Sequence, residues 1–375
     1  MSARFLTVVL ERAFNMRDGF GREIDYMRIS VIDSCNLNCY YCNPCDNNEH
    51  CHALNILSVK EVLCIVRAAT RLGIKHFRLT GGEPLLHPQL DEMVLQIKKI
   101  PGVSSVSLTT NAVLLVQHAK WLKEAGIDSI NVSLDTIDAS EYERITKKPL
   151  LEEVKHGINA AIECGIRVKI NVVLTPQTDV VALTRYVAKK GTDIRFIEMM
   201  PVGEGHTNGV EPYKKVIGTL SKLYGEPCRI NTEKTKEINS GNDKRKIPDN
   251  GPAEYYIFPE LGIRVGLIQA IHGKFCDTCN RIRVTADGRL MPCLGSSVTM
   301  DLVPDSWDFA DDVEKDFAIV RALRAAIKAK PRCHNFNDNA VTYTKTTETK
   351  TVETKTTKIE AAEVNAARNM SRIGG

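Results

Sequence analysis

The chain has 375 residues, of which 43% are hydrophobic, so it can bury a large core as one big domain with an appendage or as two modest domains. Its 50 basic and 46 acidic residues leave a formal charge of only +4, which argues against nucleic acid or a membrane as the main partner. No apolar run approaches the roughly 18 residues of a spanning helix. We therefore expect a cytoplasmic protein, although the basic first residues leave mitochondrial targeting open.

Short β-branched runs alternate with longer amphipathic stretches between residues 26 and 198. Six runs are predicted strands: "YMRISVI", "HFRLT", "VSSVSLTT", "IDSINVSLD", "IRVKINVVLT" and "TDIRFIEMM". The stretches between them are predicted helices, the first of which starts with a capping box of Ser58 and Glu61 and ends at Gly73. This alternation predicts parallel strands with right-handed crossovers, hence an α/β barrel or an open doubly wound sheet.

Polar signatures follow five of the predicted strands. They are "DSCNLNC" after the first, "TGGEP" after the second, "TTN" after the third, "SLD" after the fourth and "IEMMP" after the sixth. In both α/β architectures, chemistry is expected at the carboxyl ends of the strands. The sequence therefore predicts one site to which several strands contribute.

The regular pattern ends after about residue 205. One clear helix, "YKKVIGTLSKLYG", precedes the polar stretch "NTEKTKEINSGNDKRKIPDNG", which indicates a boundary into a smaller domain. Farther on, "TYTKTTETKTVETKTTKIEAAE" has almost no large apolar side chains, so we expect a mobile tether there.

Twelve cysteines without an export signal favour metal or catalytic uses over a disulfide framework. Eight of them form two groups: Cys35, Cys39, Cys42, Cys45 and Cys51, and then Cys276, Cys279 and Cys293. The other four, Cys64, Cys164, Cys228 and Cys333, are most simply buried small residues or inert thiols.

The C-x3-C-x2-C spacing of Cys35, Cys39 and Cys42 follows a strand directly, so three thiolates can surround a compact cluster. Three ligands leave one iron of a four-iron cluster open to a small molecule. "TGGEP" offers Gly81 and Gly82 for close approach of a ligand and Glu83 for an ammonium group. This arrangement resembles the radical S-adenosylmethionine superfamily, which implies a partial (β/α)6 barrel of the TIM type.

Two alternatives to this interpretation stay open. A zinc site could use Cys39, Cys42, Cys45 and Cys51 with His50 or His52, although such knuckles usually build their own small fold. A cluster could also use the register Cys39, Cys42 and Cys45, which loses the match to the superfamily spacing.

The second group, in "FCDTCNRIRVTADGRLMPCL", again provides three thiolates without an obvious fourth. Zinc completed by His272 is the simple alternative to a second cluster. Arg281 and Arg283 lie two residues apart and therefore on one face of an extended segment, where they suit an anionic or purine ligand. Taken alone, two arginines are more often a solvated face.

Both cysteine groups, "NRIRVTADG", "GPAEYY" and the terminal Gly374 and Gly375 together resemble the GTP 3',8-cyclase family of molybdenum cofactor biosynthesis. The resemblance implies two [4Fe-4S] clusters and S-adenosyl-L-methionine. It implies that a 5'-deoxyadenosyl radical takes the C3' hydrogen of GTP, after which C3' attacks C8. The second cluster would contact the guanine. An electron donor and, downstream, a cyclic pyranopterin monophosphate synthase are the implied partners, and a homodimer is left open.

The resemblance also assigns residues. The metal ligands would be Cys35, Cys39, Cys42, Cys276, Cys279 and Cys293. The cofactor-binding residues would be Gly81, Gly82, Glu83, Thr109, Ser133 and Met199. The substrate-binding residues would be Arg28, Arg78, Lys169, Arg195, Arg281 and Arg283. Arg281 and Arg283 would also act in catalysis, together with Gly374 and Gly375, which would reach into the barrel.

We accordingly predict four parts: an N-terminal segment (1–22), a radical S-adenosylmethionine barrel (23–235), a domain with the second cluster (236–340) and a flexible tether ending in Gly-Gly (341–375).

Three departures from the family pattern bear on the site. Ala112 replaces a usual glycine, which would cost about 1 kcal/mol if the backbone there has a positive φ. His76 replaces a phosphate-binding lysine and gives a weaker, pH-dependent charge. The loop after the third cysteine also differs.

Two other functions compete with the cyclase interpretation. One is a two-cluster radical enzyme acting on a peptide or a porphyrin-like substrate, and the other is a non-catalytic iron–sulfur or zinc-binding scaffold. The arginine set argues against the first, and "TGGEP" would have no use in the second.

Overall fold

The computed structural model describes residues 16–42, 55–202, 210–230, 251–296, 298–302 and 312–336. All six predicted strands are present. They are β1 (Tyr26–Ser30), β2 (His76–Thr80), β3 (Ser105–Thr110), β4 (Ser129–Ser133), β5 (Val168–Val173) and β6 (Asp193–Ile197). They pair in sequence order and are all parallel.

In the described residues, six α-helices and a short 3-10 helix (Pro84–Leu86) lie between these strands. The α-helices are α1 (Val59–Arg71), α2 (Leu90–Lys98), α3 (Leu115–Glu124), α4 (Ala139–Thr146), α5 (Leu151–Glu163) and α6 (Val180–Lys189). The predicted capping box of α1 is present, because Ser58 Oγ accepts from Glu61 N and Glu61 accepts from Ser58 N. Their apolar faces cover the outer side of the sheet, as the buried Ile65, Val94 and Ile158 show.

The chain beyond β6 extends the sheet at both edges. It forms β7 (Cys228–Arg229), β8 (Glu254–Ile257), β9 (Arg264–Ile268), β10 (Arg281–Val284), β11 (Arg289–Met291) and β12 (Met300–Asp301). β9 pairs parallel with β6, and β10 pairs parallel with β1. The sheet order is β12-β11-β10-β1-β2-β3-β4-β5-β6-β9-β8-β7. Within the described ranges β12 and β7 are its two edges, so the barrel is partial and open.

The fold class predicted from the sequence is therefore confirmed. The four-part division stays a prediction, and the tether and the Gly-Gly terminus lie outside the described residues.

Two helices complete the described structure. The predicted "YKKVIGTLSKLYG" helix begins with a π-helical turn (Tyr213–Ile217) and continues as α7 (Gly218–Tyr224). The last helix, α8 (Asp312–Lys328), was not predicted, and it packs on α1, where Arg71 forms an ion pair with Asp316. In the part of the chain that the structure describes, no helix has the length and apolar character needed to cross a membrane.

Candidate active site

One large cavity lies at the carboxyl ends of the parallel strands. Side chains from β1, β2, β5, β6 and β10 line it together, which requires the sheet to curve around it. All six predicted metal ligands and all six predicted cofactor-binding residues line this cavity. The structure thus brings together residues that are up to about 260 positions apart in the sequence.

The first cysteine set, Cys35, Cys39 and Cys42, lies in the loop after β1. The loop is held against the end of α4, because Asn38 N donates to Thr146 O (3.0 Å) and Tyr40 N donates to Ile145 O (3.1 Å). It then turns back, with Cys42 N donating to Cys39 O at 2.9 Å. These backbone bonds aim three thiols into one cavity from a short segment.

The two glycines of "TGGEP" allow close approach of the cysteine loop. A Cβ on Gly82 would lie 2.0 Å from Ser34 O, and one on Gly81 would lie 2.5 Å from Ile32 O. Gly82 N donates to Ile32 O at 2.7 Å, and Glu83 N donates to Ser34 O at the same distance. The sequence suggested that these glycines open space for a ligand; the structure shows that they also admit the backbone that carries Cys35.

Glu83 is a buried carboxylate that receives only neutral donors. Its oxygens accept from Leu85 N (2.9 Å), Thr110 Oγ1 (2.7 Å) and Asn111 N (2.7 Å). Burial outweighs these bonds and raises the pKa of Glu83 to about 7. A cationic group beside it would restore the charged form, so the donor set fits the ammonium of an amino acid.

The thiols of the first set are held in their neutral form. Although Cys35 is exposed to the cavity, desolvation and the nearby Glu83 charge raise its pKa to about 11. Burial and Cys35 raise the pKa of Cys42 to about 12, and burial also raises the pKa of Cys39. Iron binding would displace these protons and supply the positive charge that the site lacks. Three thiols that lie close enough for one to raise the pKa of another therefore fit an iron–sulfur cluster.

A layer of three arginines lies across neighbouring strands. Arg28 of β1 is in register with Arg78 of β2 and with Arg283 of β10, and all three line the cavity. Burial and repulsion by Arg283 lower the pKa of Arg28 well below its usual range, and burial and Arg281 lower the pKa of Arg283 to about 10. Crowded buried cations of this kind fit a polyanion.

Neighbouring groups orient Arg78 of this layer and two further arginines of the cavity, Arg281 and Arg195. Arg78 Nε donates to the hydroxyl of Tyr26, and the guanidinium of Arg281 lies 5.1 Å from the ring centre of Phe275. Arg195 Nε donates to Asn171 Oδ1 at 2.9 Å. A Cβ on Gly266 would lie 2.8 Å from Arg195 Cγ, so glycine at this position makes room for Arg195.

Lys169 and His76 do not line the cavity. Lys169 is 6% exposed, with its Nζ 5.9 Å from the ring centre of Tyr255. His76 Nδ1 lies 2.8 Å from Ser105 Oγ, and burial lowers the pKa of its ring. Lys169 lies two residues before the cavity-lining Asn171, and His76 lies two residues before the cavity-lining Arg78, so each shares the face of its strand with that residue. Lys169 and His76 are therefore nearer the amino-terminal ends of their strands and deeper in the barrel.

The second cysteine set, Cys276, Cys279 and Cys293, closes the other part of the cavity. Cys276–Thr278 form a 3-10 turn, and Cys279 N donates to Cys276 O at 3.1 Å. Burial raises the pKa of Cys279, but the charges of Arg281 and Lys330 outweigh it and lower this pKa to about 7. The set therefore combines three thiols with surrounding cations, which fits an anionic iron–sulfur site.

His272 is engaged elsewhere and does not line the cavity. Its Nδ1 contacts Glu198 Oε1, and Glu198 Oε2 accepts from Ile271 N (2.7 Å) and His272 N (3.1 Å). Among the described residues, no three His, Cys, Asp or Glu side chains converge as ligands of a single metal ion.

Sequence comparison then identifies the family. The protein-family model described as "Radical SAM superfamily" matches residues 29–182, and the family model described as "Molybdenum Cofactor Synthesis C" matches residues 192–336. A GTP 3',8-cyclase from Clostridium perfringens (strain SM101 / Type A) is 35% identical over 324 residues, which cover 86% of this chain and 95% of that protein. One from Peptoclostridium acidaminophilum is 37% identical over 328 residues, 86% of this chain and 94% of that protein. The chain belongs to the GTP 3',8-cyclase family.

Solved structures agree on the fold. SuiB from Streptococcus suis bound to S-adenosylmethionine has a TM-score of 0.53 at 15% identity, covering 79% of this chain and 68% of that one. SuiB bound to its precursor peptide SuiA has a TM-score of 0.55 at 14% identity, covering 86% and 69%. These likenesses show that this chain shares its fold with the SuiB structures.

Several cavity residues of this cyclase-family chain were missed from the sequence. Tyr41 and Asp135 line the cavity and are hydrogen-bonded to each other, with Oδ1 of Asp135 accepting from Val173 N at 2.7 Å. Burial raises the pKa of Asp135 to about 6. Tyr41 lies within the cysteine motif and Asp135 within "SLD", so both positions could have been named. Lys330, from the segment after α8, had no local signal.

Other predicted residues lie outside the described ones: Cys45, Cys51, His50, His52, Gly374 and Gly375. The predictions on them stay predictions.

Proposed function

We propose that this protein is a radical S-adenosylmethionine enzyme that converts GTP to (8S)-3',8-cyclo-7,8-dihydroguanosine 5'-triphosphate, the first step of molybdenum cofactor biosynthesis. The observation that carries the proposal is a single cavity. It joins a three-thiol set beside a buried carboxylate to an arginine layer beside a second three-thiol set. One end suits a cationic amino-acid cofactor, and the other suits a nucleoside triphosphate.

The first end would hold a [4Fe-4S] cluster on Cys35, Cys39 and Cys42. With S-adenosylmethionine bound, this group supplies the organic radical that removes a hydrogen atom. The chain's part is to position the cofactor. Glu83 would accept its ammonium group, Gly81 and Gly82 would let it approach the backbone, and Thr109, Ser133 and Met199, which line the same cavity, would border it. The closed packing around Glu83 keeps water from the carboxylate, which strengthens its contact with the cofactor.

The second end would orient GTP. Arg28, Arg78 and Arg283 would bind the triphosphate, since guanidinium groups bind phosphate oxygens bidentately. Arg195 and Arg281 would hold the nucleoside between this layer and a second [4Fe-4S] cluster on Cys276, Cys279 and Cys293. Lys169 would contribute its charge from the deeper layer. Fixing C3' near the radical source and C8 near C3' is the main catalytic task of these residues.

Further partners and surroundings belong to the same proposal. The enzyme would take electrons from an external donor and pass its product to a cyclic pyranopterin monophosphate synthase. We also propose a cytoplasmic location, the predicted four-part division and a homodimer as the quaternary state to test.

Gly374 and Gly375 would enter the barrel and position the reacting groups. Deleting both should leave iron content and nucleotide binding unchanged while cyclisation falls by orders of magnitude, as expected when positioning is lost.

The test is anaerobic reconstitution followed by three measurements. Iron and acid-labile sulfide should reach about eight of each per chain, as expected for two four-iron clusters. Cleavage of S-adenosylmethionine should depend on GTP, and the product should be the cyclised nucleotide by mass and NMR. Zinc without sulfide would refute the clusters. Cleavage that depends on a peptide rather than GTP would favour the other radical enzyme class.

A further inference from the structure

A buried lysine links the ligand segments of the second cysteine set. Lys330 is 3% exposed, and its Nζ donates to Arg281 O at 2.7 Å and to Pro292 O at 2.8 Å. Arg281 follows Cys279 by two residues, and Pro292 directly precedes Cys293. One ammonium group therefore fixes the spacing between β10 and the Cys293 loop.

The same short segment also reaches the third ligand. Arg22 Nη1 donates to Cys276 O (2.6 Å) and Arg332 O (2.9 Å), and its Nη2 donates to Pro331 O (2.6 Å). Residues 330–332 thus contact the segments of Cys276, Cys279 and Cys293, through Arg22 for the first and through Lys330 for the other two.

The two buried cations differ in their counter-charge. Arg22 is paired with Asp18 at 2.5 Å, and both side chains are buried. Lys330 forms no ion pair with a carboxylate of the described residues. A buried ammonium without a carboxylate partner is costly unless another anion lies nearby. Lys330 lines the same cavity as Cys279 and Cys293, so a cluster held by their thiolates would supply that anion.

We propose that Lys330 is a positioning residue of the second iron–sulfur cluster, which holds the Cys279 and Cys293 segments together and raises the cluster's reduction potential. This inference rests on the proposed second cluster. A positive charge beside the cluster stabilises the form that has gained an electron, and net charge and hydrogen bonds near the sulfurs are known determinants of cluster potentials. The first set instead has an acid, Glu83, in its part of the cavity lining.

The test uses the full-length chain with Cys35, Cys39 and Cys42 changed to Ala, so that only the second cluster gives a signal. In this background, Lys330→Met removes the charge at similar length, and Lys330→Arg keeps it. Lys328→Met is the matched control, because it removes a lysine charge two residues away at an exposed position. Each variant is reconstituted anaerobically, titrated with a reductant under EPR detection and exposed to an iron chelator.

We expect Lys330→Met to move the midpoint potential to a lower value and to lose iron roughly 10- to 100-fold faster than its parent. Lys330→Arg should restore both properties toward those of the parent, and Lys328→Met should change neither. If Lys330→Met takes up no iron here, while the same change in the chain with all six cysteines leaves four irons, the positioning role is supported. An unchanged potential and chelation rate in Lys330→Met would overturn the inference alone. A parent that binds no cluster at the second set would overturn the proposed second cluster as well.

Discussion

The two cysteine sets have the same number of thiols but opposite electrostatic surroundings. The first faces the buried carboxyl groups Glu83 and Asp135, and the pKa values of its thiols are raised by burial and by these acids. The second faces Arg281 and Lys330, and the pKa of Cys279 is lowered to about 7. A set of three thiols therefore does not by itself define what binds beside it.

The difference corresponds to the two ligands of the proposed reaction. S-adenosylmethionine carries an ammonium and a sulfonium group, which suit the acidic end. GTP carries a polyanionic triphosphate, which suits the arginine layer. Opposite charge at the two ends would assign each ligand to its own end of the shared cavity. If the two ligands exchanged ends, the triphosphate would face the acids and the ammonium and sulfonium groups would face the arginines.

Exchanging cysteines for serine in each set should have the largest effect and should separate the two ends. Cys39→Ser in the first set is expected to reduce S-adenosylmethionine cleavage to background, because the group that delivers the electron is lost. Cys279→Ser in the second set should abolish the cyclised nucleotide while cleavage persists without GTP control. Cleavage is measured by the release of 5'-deoxyadenosine. Equal loss of cleavage in both variants would contradict a division of labour between the sets.

The role of Glu83 predicts a pH dependence of folding stability. The unfolded carboxyl releases its proton near pH 4.5, whereas the folded one holds it to about pH 7. Between these values the unfolded state binds fewer protons, so the stability of the cofactor-free protein falls as the pH rises, by on the order of 3 kcal/mol. Glu83→Gln should flatten this fall in chemical denaturation at pH 5 and pH 8.

The exposed Glu163, at the end of α5, offers the matched control, since Glu163→Gln should leave the profile as it is in the unmodified protein. If the fall in stability with rising pH has the same size in Glu83→Gln, other groups cause it. Asp135 is then the first candidate, because its pKa is raised to about 6.

Removing one arginine tests the anionic end. Arg283→Ala should lower kcat/KM for GTP by about 10- to 150-fold, because a hydrogen bond to a charged group contributes roughly 1.5 to 3 kcal/mol. Arg289→Ala is the control, since Arg289 lies on the adjacent strand β11 but is exposed. Steady-state rates at several GTP concentrations measure the effect. If the two variants behave alike, the arginine layer does not bind the substrate.

Local patterns predicted the barrel strands and the edge of the sheet that carries the cavity, whereas the family resemblance assigned most of the individual cavity residues. Parallel strands are β-branched runs, and the residues after them lie at one edge of the sheet whatever the details. The continuation of the sheet by β9 and β10 was not predicted, since pairing between segments more than 60 residues apart leaves no periodic signal. For the same reason Lys330 was missed: its partners, Arg281 O and Pro292 O, are backbone atoms that carry no sequence signature.

The deeper position of Lys169 and His76 shows another limit of the sequence. Alternation along a strand tells which face a side chain takes, but not its depth in the barrel. Ala112 is the opposite case, because the family pattern correctly indicated a special backbone conformation, and the structure gives it φ 65°.

Backbone strain is also distributed unequally between the two ends and gives the smallest predicted effect. Ala112 and Lys147, the described non-glycine residues with positive φ, both support the first set. Ala112 follows Asn111, which donates to Asn36 Oδ1 at 2.7 Å, and Lys147 ends α4, on which the cysteine loop rests. At the second set, the corresponding turn after β10 has glycine, Gly288, at φ 75°.

Lys147→Gly should stabilise the fold by about 1 kcal/mol, because Lys147 is exposed and glycine removes the cost of the left-handed conformation without removing a buried group. Ala112→Gly should change stability by less, because relief of a similar strain is offset by the loss of a fully buried methyl group, worth about 0.8 kcal/mol. Denaturation midpoints of the two variants measure the difference. A larger gain in stability from Ala112→Gly than from Lys147→Gly would mean that the methyl group of Ala112 is itself strained against its neighbours. The alanine would then destabilise the loop that supports the first set.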